Sequence, residues 1–224
     1  MAPLDELRSR LGPDAAEIIG RYPKRRSALM PLLHLVQAEQ GYVTEEGLTF
    51  CAEQLGLEEA EVTAVASFYT MFKRRPVGEY HVGVCTNSLC AVMGGDAIFA
   101  DLKEYLDVGN DETTPDGKVS LEHLECNAAC DYAPVIMVNW EFYDNQTPDT
   151  ARQLVDDLRA GTNVPPTRGP KRLCTWKQAN RILAGFGDGQ AAEGPSAGPA
   201  SLVGLKLAKE RGWKAPEPSG ETSK

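Results

Sequence analysis

The first third of the chain carries apolar residues with the period of an α-helix. A first helix is predicted to begin at Pro13, a residue favoured in the first helical turn, and to end before Pro23. Three further helices are predicted where Leu, Val, Ala and Phe recur every three or four residues, over Ser27 to Gln40, Thr44 to Leu55 and Glu58 to Phe72. Residues 1–76 are therefore predicted to form a small helical bundle.

The pattern changes to short strands from Glu79 onwards. Residues 80–84 are predicted to form a strand that ends directly before Cys85, and residues 119–125 a second strand that ends at Cys126. An amphipathic helix is predicted between these strands, and two short strands and a capped helix after them, over residues 91–106, 135–138, 141–143 and 147–158. Residues 77–160 are thus predicted to form a second domain, and the fold class is α+β.

The composition shifts to Pro, Gly, Ala and Ser after Gly161. Such a sequence buries too little apolar surface to offset the entropy of ordering, so residues 161–224 are predicted to be a mostly irregular extension. Two islands, Leu173–Trp176 and Leu202–Trp213, keep apolar residues. The sequence leaves open whether these islands dock onto a partner or stay disordered.

Composition and charge exclude some classes of function. The formal net charge of −9 repels a phosphate backbone, and no basic stripe interleaved with aromatic residues overrides it, so nucleic acid is not an expected partner. No apolar run approaches the roughly 20 residues of a membrane span, and the start of the chain resembles neither a secretory signal nor a transit peptide. We therefore expect a cytoplasmic chain without membrane insertion.

Four of the six cysteines form two closely spaced pairs. Cys85 and Cys90 make a C-x4-C pair, Cys126 and Cys130 make a C-x3-C pair, and each pair follows a predicted strand. Cytoplasmic cysteines stay thiols unless something binds them. A [2Fe–2S] cluster needs two thiolates on each iron, and two short loops at neighbouring strand ends can supply both pairs. The spacing therefore favours one [2Fe–2S] cluster, with these four cysteines as its ligands.

Three other interpretations of the cysteines remain open at this point. Structural zinc also takes four thiolates but usually with C-x2-C spacing, and a dithiol oxidoreductase needs a C-x-x-C motif, which the chain lacks. Four unrelated core cysteines would explain neither the pairing nor the placement after strands. Cys51, Cys174 and the isolated residues His34, His81 and His123 are interpreted as structural or free side chains. Gly185–Gly189 follows no strand, so we predict no nucleotide site there.

Several multi-residue motifs together resemble the E subunit family of bacterial NADH-quinone oxidoreductase, respiratory complex I. They occur in the family's order and span roughly residues 13–160, as Pro31–Val43, Ser67–Phe72, Pro76–Gly78, Cys85–Asn87 and Glu125–Pro134. The resemblance implies a helical amino-terminal domain, a thioredoxin-like ferredoxin domain and a [2Fe–2S] cluster on the four paired cysteines. Ala129 departs from the family's pattern, which has Gly before the last cysteine, but we expect no loss of ligation. The extension after residue 161 also lies outside the family core.

The resemblance also implies a function. The chain is expected to be an electron-transfer subunit without catalytic residues of its own, exchanging single electrons with the flavin of a neighbouring subunit that binds FMN and NADH. A large iron–sulfur subunit is a second expected partner, and the complex would hold the chain at the inner face of the cell membrane. Equivalent small subunits of NAD-linked hydrogenases or formate dehydrogenases are an alternative. A zinc-stabilised, non-redox scaffold that docks through Phe68–Phe72 is another.

Overall fold

The computed structural model describes residues 3–216. Its amino-terminal part contains four helices around one apolar core, with a short 3-10 turn at Arg25–Ala28 before the second. These helices are α1 (Leu4–Gly20), α2 (Leu29–Gln40), α3 (Glu45–Leu55) and α4 (Glu59–Phe68). As the sequence predicts, the Thr44 hydroxyl accepts a hydrogen bond from the Gly47 amide and so caps the start of α3.

Two predicted helix boundaries are wrong. Helix α1 begins nine residues before Pro13, because the buried residues Leu7, Leu11, Ala15 and Ile18 continue one apolar stripe through the proline, whose ring lies on the exposed side. Helix α4 ends at Phe68 and not at Phe72. The backbone turns extended at the next residue, which redirects the chain towards α2.

A five-stranded sheet follows, in the order β2-β3-β1-β4-β5. Strand β1 pairs with β3 in parallel, and the other pairings are antiparallel. The strands are β1 (Tyr80–Cys85), β2 (Glu112–Thr113), β3 (Val119–Leu124), β4 (Ile136–Val138) and β5 (Glu141–Tyr143). Four of them were predicted to within a residue or two, whereas the two-residue strand β2 is too short to leave a periodic signal.

Three helices accompany the sheet. The predicted helix over residues 91–106 is two helices, α5 (Ser88–Val92) and α6 (Gly95–Leu106), because Gly94 adopts a left-handed conformation between them with a φ of 114°. Helix α7 (Pro148–Arg159) is capped by Thr147, as predicted. Residues of α6 and α7 pack on one face of the sheet and form a second apolar core with Val82, Val84 and Leu121.

The carboxyl-terminal extension contains two helices that its composition does not predict, α8 (Trp176–Leu183) and α9 (Val203–Glu210). The Trp176 side chain is 1% exposed, and its indole N–H donates a hydrogen bond to the Gly41 carbonyl at 2.7 Å. The Trp176 amide donates to the Glu79 carbonyl at 2.8 Å. The first apolar island of the extension therefore docks onto this chain itself, while the division into three domains stays a prediction.

Within residues 3–216, none of the helices combines the length and apolar character needed to cross a lipid bilayer.

Candidate metal centre

The four paired cysteines lie at one edge of the sheet. Cys85 is the last residue of β1, and Cys90 lies in the short helix α5 that follows it. Cys126 comes two residues after β3 ends, and Cys130 opens a 3-10 turn that runs to Tyr132. Because β1 and β3 are parallel neighbours, with Cys85 opposite Leu124, their carboxyl ends deliver both pairs to the same edge.

The thiols are free and form an inner and an outer pair. Cys85 and Cys90 are buried, each 3% exposed, whereas Cys126 and Cys130 are exposed. Burial and a hydrogen bond with Cys85 raise the pKa of Cys90 to about 11. A hydrogen bond with Cys126 raises the pKa of Cys130, and the negative charge of a Cys85 thiolate raises it further. The two pairs are therefore close enough to act on each other electrostatically.

Backbone groups approach two of the sulfur atoms. The Ala128 amide donates to Cys126 Sγ at 3.4 Å. The backbone of Val135 acts in the same sense on Cys90, because it lowers the pKa of that thiol and so opposes the effect of burial. Strand β1 is tied to the same segment, since the Cys85 amide donates to the Val135 carbonyl at 3.1 Å. Thiolate ligands of an iron–sulfur cluster need such donors, so the loops suit that group.

The wall around the inner pair is apolar and closely packed. Ala129 and Val135 are buried against Cys85 and Cys90. A β-carbon on Gly95 would lie 2.4 Å from the Cys85 carbonyl oxygen, so the start of α6 approaches the backbone of the inner pair as closely as a glycine allows. Ala129 has a φ of −108°, an ordinary value for any residue. Its methyl group therefore fits without backbone strain where the family pattern has Gly.

No three Cys, His, Asp or Glu side chains among residues 3–216 are grouped as the ligands of a single metal ion would be. The four cysteines form one buried and one exposed pair at the same end of the sheet. Four thiolates are the donor set that a [2Fe–2S] cluster takes, so the residues present fit this group in number and chemistry. The four residues singled out from the sequence are thus the ones that the fold brings together.

A buried ionisable cluster on the face of the sheet opposite α6 and α7 was not predicted. Glu122 accepts hydrogen bonds from the Lys73 ammonium and from His81 Nε2, the latter at 2.7 Å. Burial alone would raise the pKa of Glu122, but the His81 hydrogen bond and the Lys73 charge hold it below its usual value. Burial lowers the pKa of His81. The His81 ring packs beside those of Trp140 and Trp176, whose centroids are each 5.2 Å from it and 5.9 Å from each other. No sequence motif marks this cluster, because its members come from separate elements.

The remaining candidates lie away from the cysteine pairs. Cys51 lies in the helical core, where burial raises its pKa, and burial raises the pKa of Cys174 to about 11. His34 Nδ1 contacts Asn180 Oδ1 at 2.8 Å. The two ends of the segment Phe68–Phe72 lie in different environments. Phe72 is buried against His34, whereas the Phe68 side chain is 77% exposed.

Comparison with known proteins agrees with this fold. The family description that matches is "Thioredoxin-like [2Fe-2S] ferredoxin", over residues 15–159. The match covers more than half of the chain, so the protein belongs to the thioredoxin-like [2Fe–2S] ferredoxin family.

Two relatives are E subunits of NADH-quinone oxidoreductases. The E subunit of the NADH-quinone oxidoreductase of Mycobacterium tuberculosis is 64% identical over 213 residues, which are 95% of this chain and 84% of the relative. The E subunit of the Rickettsia bellii oxidoreductase is 38% identical over 148 residues, 65% of this chain and 89% of the relative.

Among solved structures, an NAD+-reducing [NiFe]-hydrogenase in the air-oxidised state superimposes with a TM-score of 0.51 at 19% identity. The likeness covers 58% of this chain and 23% of the hydrogenase chain, so this protein spans about a quarter of that chain. At this identity the likeness concerns the fold alone.

Proposed function

We propose that this chain is the electron-transfer subunit of an NADH-quinone oxidoreductase and that Cys85, Cys90, Cys126 and Cys130 ligate one [2Fe–2S] cluster. The observation that carries the proposal is the convergence of two free cysteine pairs at the ends of adjacent parallel strands. The relatives are named as E subunits of NADH-quinone oxidoreductase, which supports the choice of complex. The activity is that of an oxidoreductase subunit within an assembly.

The chain's own residues have three tasks in this proposal. The cysteine pairs hold the group, the Ala128 amide and the Val135 backbone stabilise negative charge on sulfur, and the apolar wall beside Cys90 excludes water. A bound [2Fe–2S] cluster supplies one-electron transfer. The exposed outer pair, Cys126 and Cys130, marks the side from which a redox partner approaches.

The hydride chemistry belongs to a partner in this proposal. A neighbouring subunit binds FMN and NADH and exchanges single electrons with the cluster, and a large iron–sulfur subunit is a second neighbour. The complex would hold the chain on the cytoplasmic side, peripheral to the cell membrane. The hydrogenase likeness keeps the small subunit of an NAD-linked hydrogenase as a second candidate, because both chains have this fold.

The test is to purify the chain without oxygen and to assay iron, acid-labile sulfide and zinc, together with EPR spectra before and after reduction. We expect about two irons per chain and a signal only after reduction. Cys126→Ala should abolish the signal because it removes a ligand, and its exposed position limits other damage. Cys174→Ala, at a cysteine remote from the pairs, is the matched control and should keep the full signal.

Two results would contradict the proposal. A wild-type chain that binds zinc and takes up no iron on reconstitution would favour the non-redox scaffold. A Cys126→Ala chain with the wild-type EPR signal would exclude that cysteine as a ligand.

A further inference from the structure

The second apolar island of the extension forms a helix without a packing partner among the described residues of this chain. Every residue of α9 is exposed or half-buried. The side chains of Leu202, Val203 and Leu205 are 44%, 59% and 54% exposed, and Trp213 is 60% exposed. An isolated helix of eight residues is marginal in water, since helices below about 12 residues rarely stand alone. The segment 202–214 therefore has the surface of an element that packs against another molecule.

The segment is basic although the chain is acidic. It contains four cations, Lys206, Lys209, Arg211 and Lys214, and one acid, Glu210, in a chain of formal net charge −9. Lys206 and Lys209 line the same groove as the exposed leucines. A surface that covers this groove must offer apolar contact and negative charge together, because like charges facing each other would be destabilising.

The position of the segment points to one partner. Just before α9, the Ala200 amide donates a hydrogen bond to the Tyr132 hydroxyl at 3.2 Å, and the Ser201 hydroxyl donates to the Asp131 carboxylate. Asp131 and Tyr132 belong to the turn that Cys130 opens. Helix α9 is only about 12 Å long, so it stays close to the outer cysteine pair. A protein that approaches this pair for electron exchange also meets α9.

Residues 202–214 follow the part of the chain that matches the family, residues 15–159. The alignment with the Mycobacterium tuberculosis relative takes in 95% of the chain, which includes α9. The alignment with the Rickettsia bellii relative has 148 residues, little more than the family match over residues 15–159 already occupies. Residues 202–214 therefore lie outside the part of the chain that matches the family.

We infer that residues 202–214 dock onto an acidic, partly apolar surface of the partner that exchanges electrons with the cluster. This inference rests on the proposed function, because that function supplies the partner at the outer cysteine pair. The cations would speed and orient the encounter, and the leucines and Trp213 would hold the docked state.

The test measures binding of the full-length, cluster-loaded chain to the separately purified, flavin-loaded NADH-binding subunit of the same organism. Lys206→Glu/Lys209→Glu should weaken binding about tenfold or more, because two attractive contacts become repulsive. Leu202→Ser/Leu205→Ser should weaken it by a similar factor. Lys24→Glu/Lys171→Glu is the control, since it makes the same change of charge at exposed sites outside the segment. Wild-type binding should also fall more steeply with salt than binding of the Lys206→Glu/Lys209→Glu chain.

The outcomes separate this inference from the proposed function. Weaker binding of both segment variants, with control binding unchanged, supports docking. Equal binding of the partner by the control and the segment variants would overturn it. Docking would also be overturned if the wild type bound phosphatidylglycerol vesicles and the segment variants did not, while the segment variants still bound the partner as the wild type does. The EPR signal of each preparation is measured in parallel. A wild-type chain without the EPR signal would refute the proposed function. Segment variants that show the signal and bind the partner as tightly as the wild type would refute docking alone.

Discussion

Gly95 lies between the backbones of two proposed ligands. A β-carbon there would meet the carbonyl oxygens of Cys85 at 2.4 Å and of Cys90 at 2.9 Å, and rigid backbone atoms cannot give way as a flexible side chain can. We therefore expect Gly95→Ala to displace the inner cysteine pair and to lower the amount of [2Fe–2S] cluster per chain severalfold. Iron and sulfide assays on the purified variant measure this loss.

Gly12→Ala is the matched control for that substitution. Gly12 lies in α1, where an added β-carbon would meet open space, so alanine should keep the cluster and leave the stability equal or slightly higher. A Gly95→Ala chain with as much cluster as Gly12→Ala would show that the inner pair tolerates a shift of α6.

Some of the site residues could be identified from the sequence alone and others could not. The four cysteines could be found because short spacing within each pair and the preceding strands both leave local signals. The Lys73–Glu122–His81 cluster could not, because its members lie up to 49 positions apart and meet only through the register of the sheet and the turn after α4. A lone lysine or glutamate in a sequence is more often a solvated surface residue.

Among the helices, α8 joins the extension to the rest of the molecule. Trp176 is buried and hydrogen-bonded to Gly41, and Asn180 accepts a hydrogen bond from Gln37 while its amide donates to the Trp176 carbonyl. Trp176→Ala should lower the free energy of unfolding by about 3 to 5 kcal/mol, because it leaves a large cavity and a lost hydrogen bond. Denaturant unfolding followed by circular dichroism measures the change.

Trp213→Ala is the control for this prediction, since the same substitution at a side chain that is 60% exposed should change stability by less than about 1 kcal/mol. Equal effects of the two substitutions would mean that α8 does not contribute to the stability of the fold.

Elements whose ends are set by contacts between nearby residues could be predicted from the sequence, and elements whose ends depend on tertiary contacts could not. Thr44 and Thr147 cap helices through contacts within three residues, so α3 and α7 could be predicted with their starting points. The end of α4 is set by tertiary contacts, since the Lys73 amide donates to Gln37 Oε1 at 2.7 Å and its carbonyl accepts from Val43. Helix α8 is likewise stabilised by packing on α2, which a local composition rich in Gly and Pro conceals.

Two of the chain's three histidines are buried at the interface that α8 forms with the rest of the chain. His34 lies in α2 against Asn180, whose amide group is oriented by its hydrogen bond to the Trp176 carbonyl, so His34 Nδ1 carries the proton. His81 lies in β1 and donates from Nε2 to Glu122, while its Nδ1 has no hydrogen-bond partner among the described residues. Burial therefore disfavours the charged form of both rings where α8 packs on the rest of the chain.

This arrangement predicts how the stability of the whole chain depends on pH. Burial lowers the pKa of both His34 and His81 below the usual 6.5, so below that pH the unfolded chain binds more protons than the folded one. Stability is then fully present above pH 6.5 and falls as the pH decreases, by roughly 1 kcal/mol per pH unit for each histidine until its folded pKa is reached. Glu122, with its lowered pKa, adds to the loss only below about pH 4.5.

Urea unfolding at intervals from pH 7.5 to 5 measures this slope. His123→Gln is the control, because it removes the histidine that lies exposed on the surface and leaves the two buried ones in place. His34→Gln should remove about half of the slope. Burial raises the pKa of the Glu141 carboxyl group, so this residue makes the folded chain more stable as the pH falls. One half-buried carboxyl group cannot cancel the loss of stability from two buried histidines. A stability that stays constant from pH 7 to pH 5.5 would therefore mean that the two histidines are not held neutral at this interface.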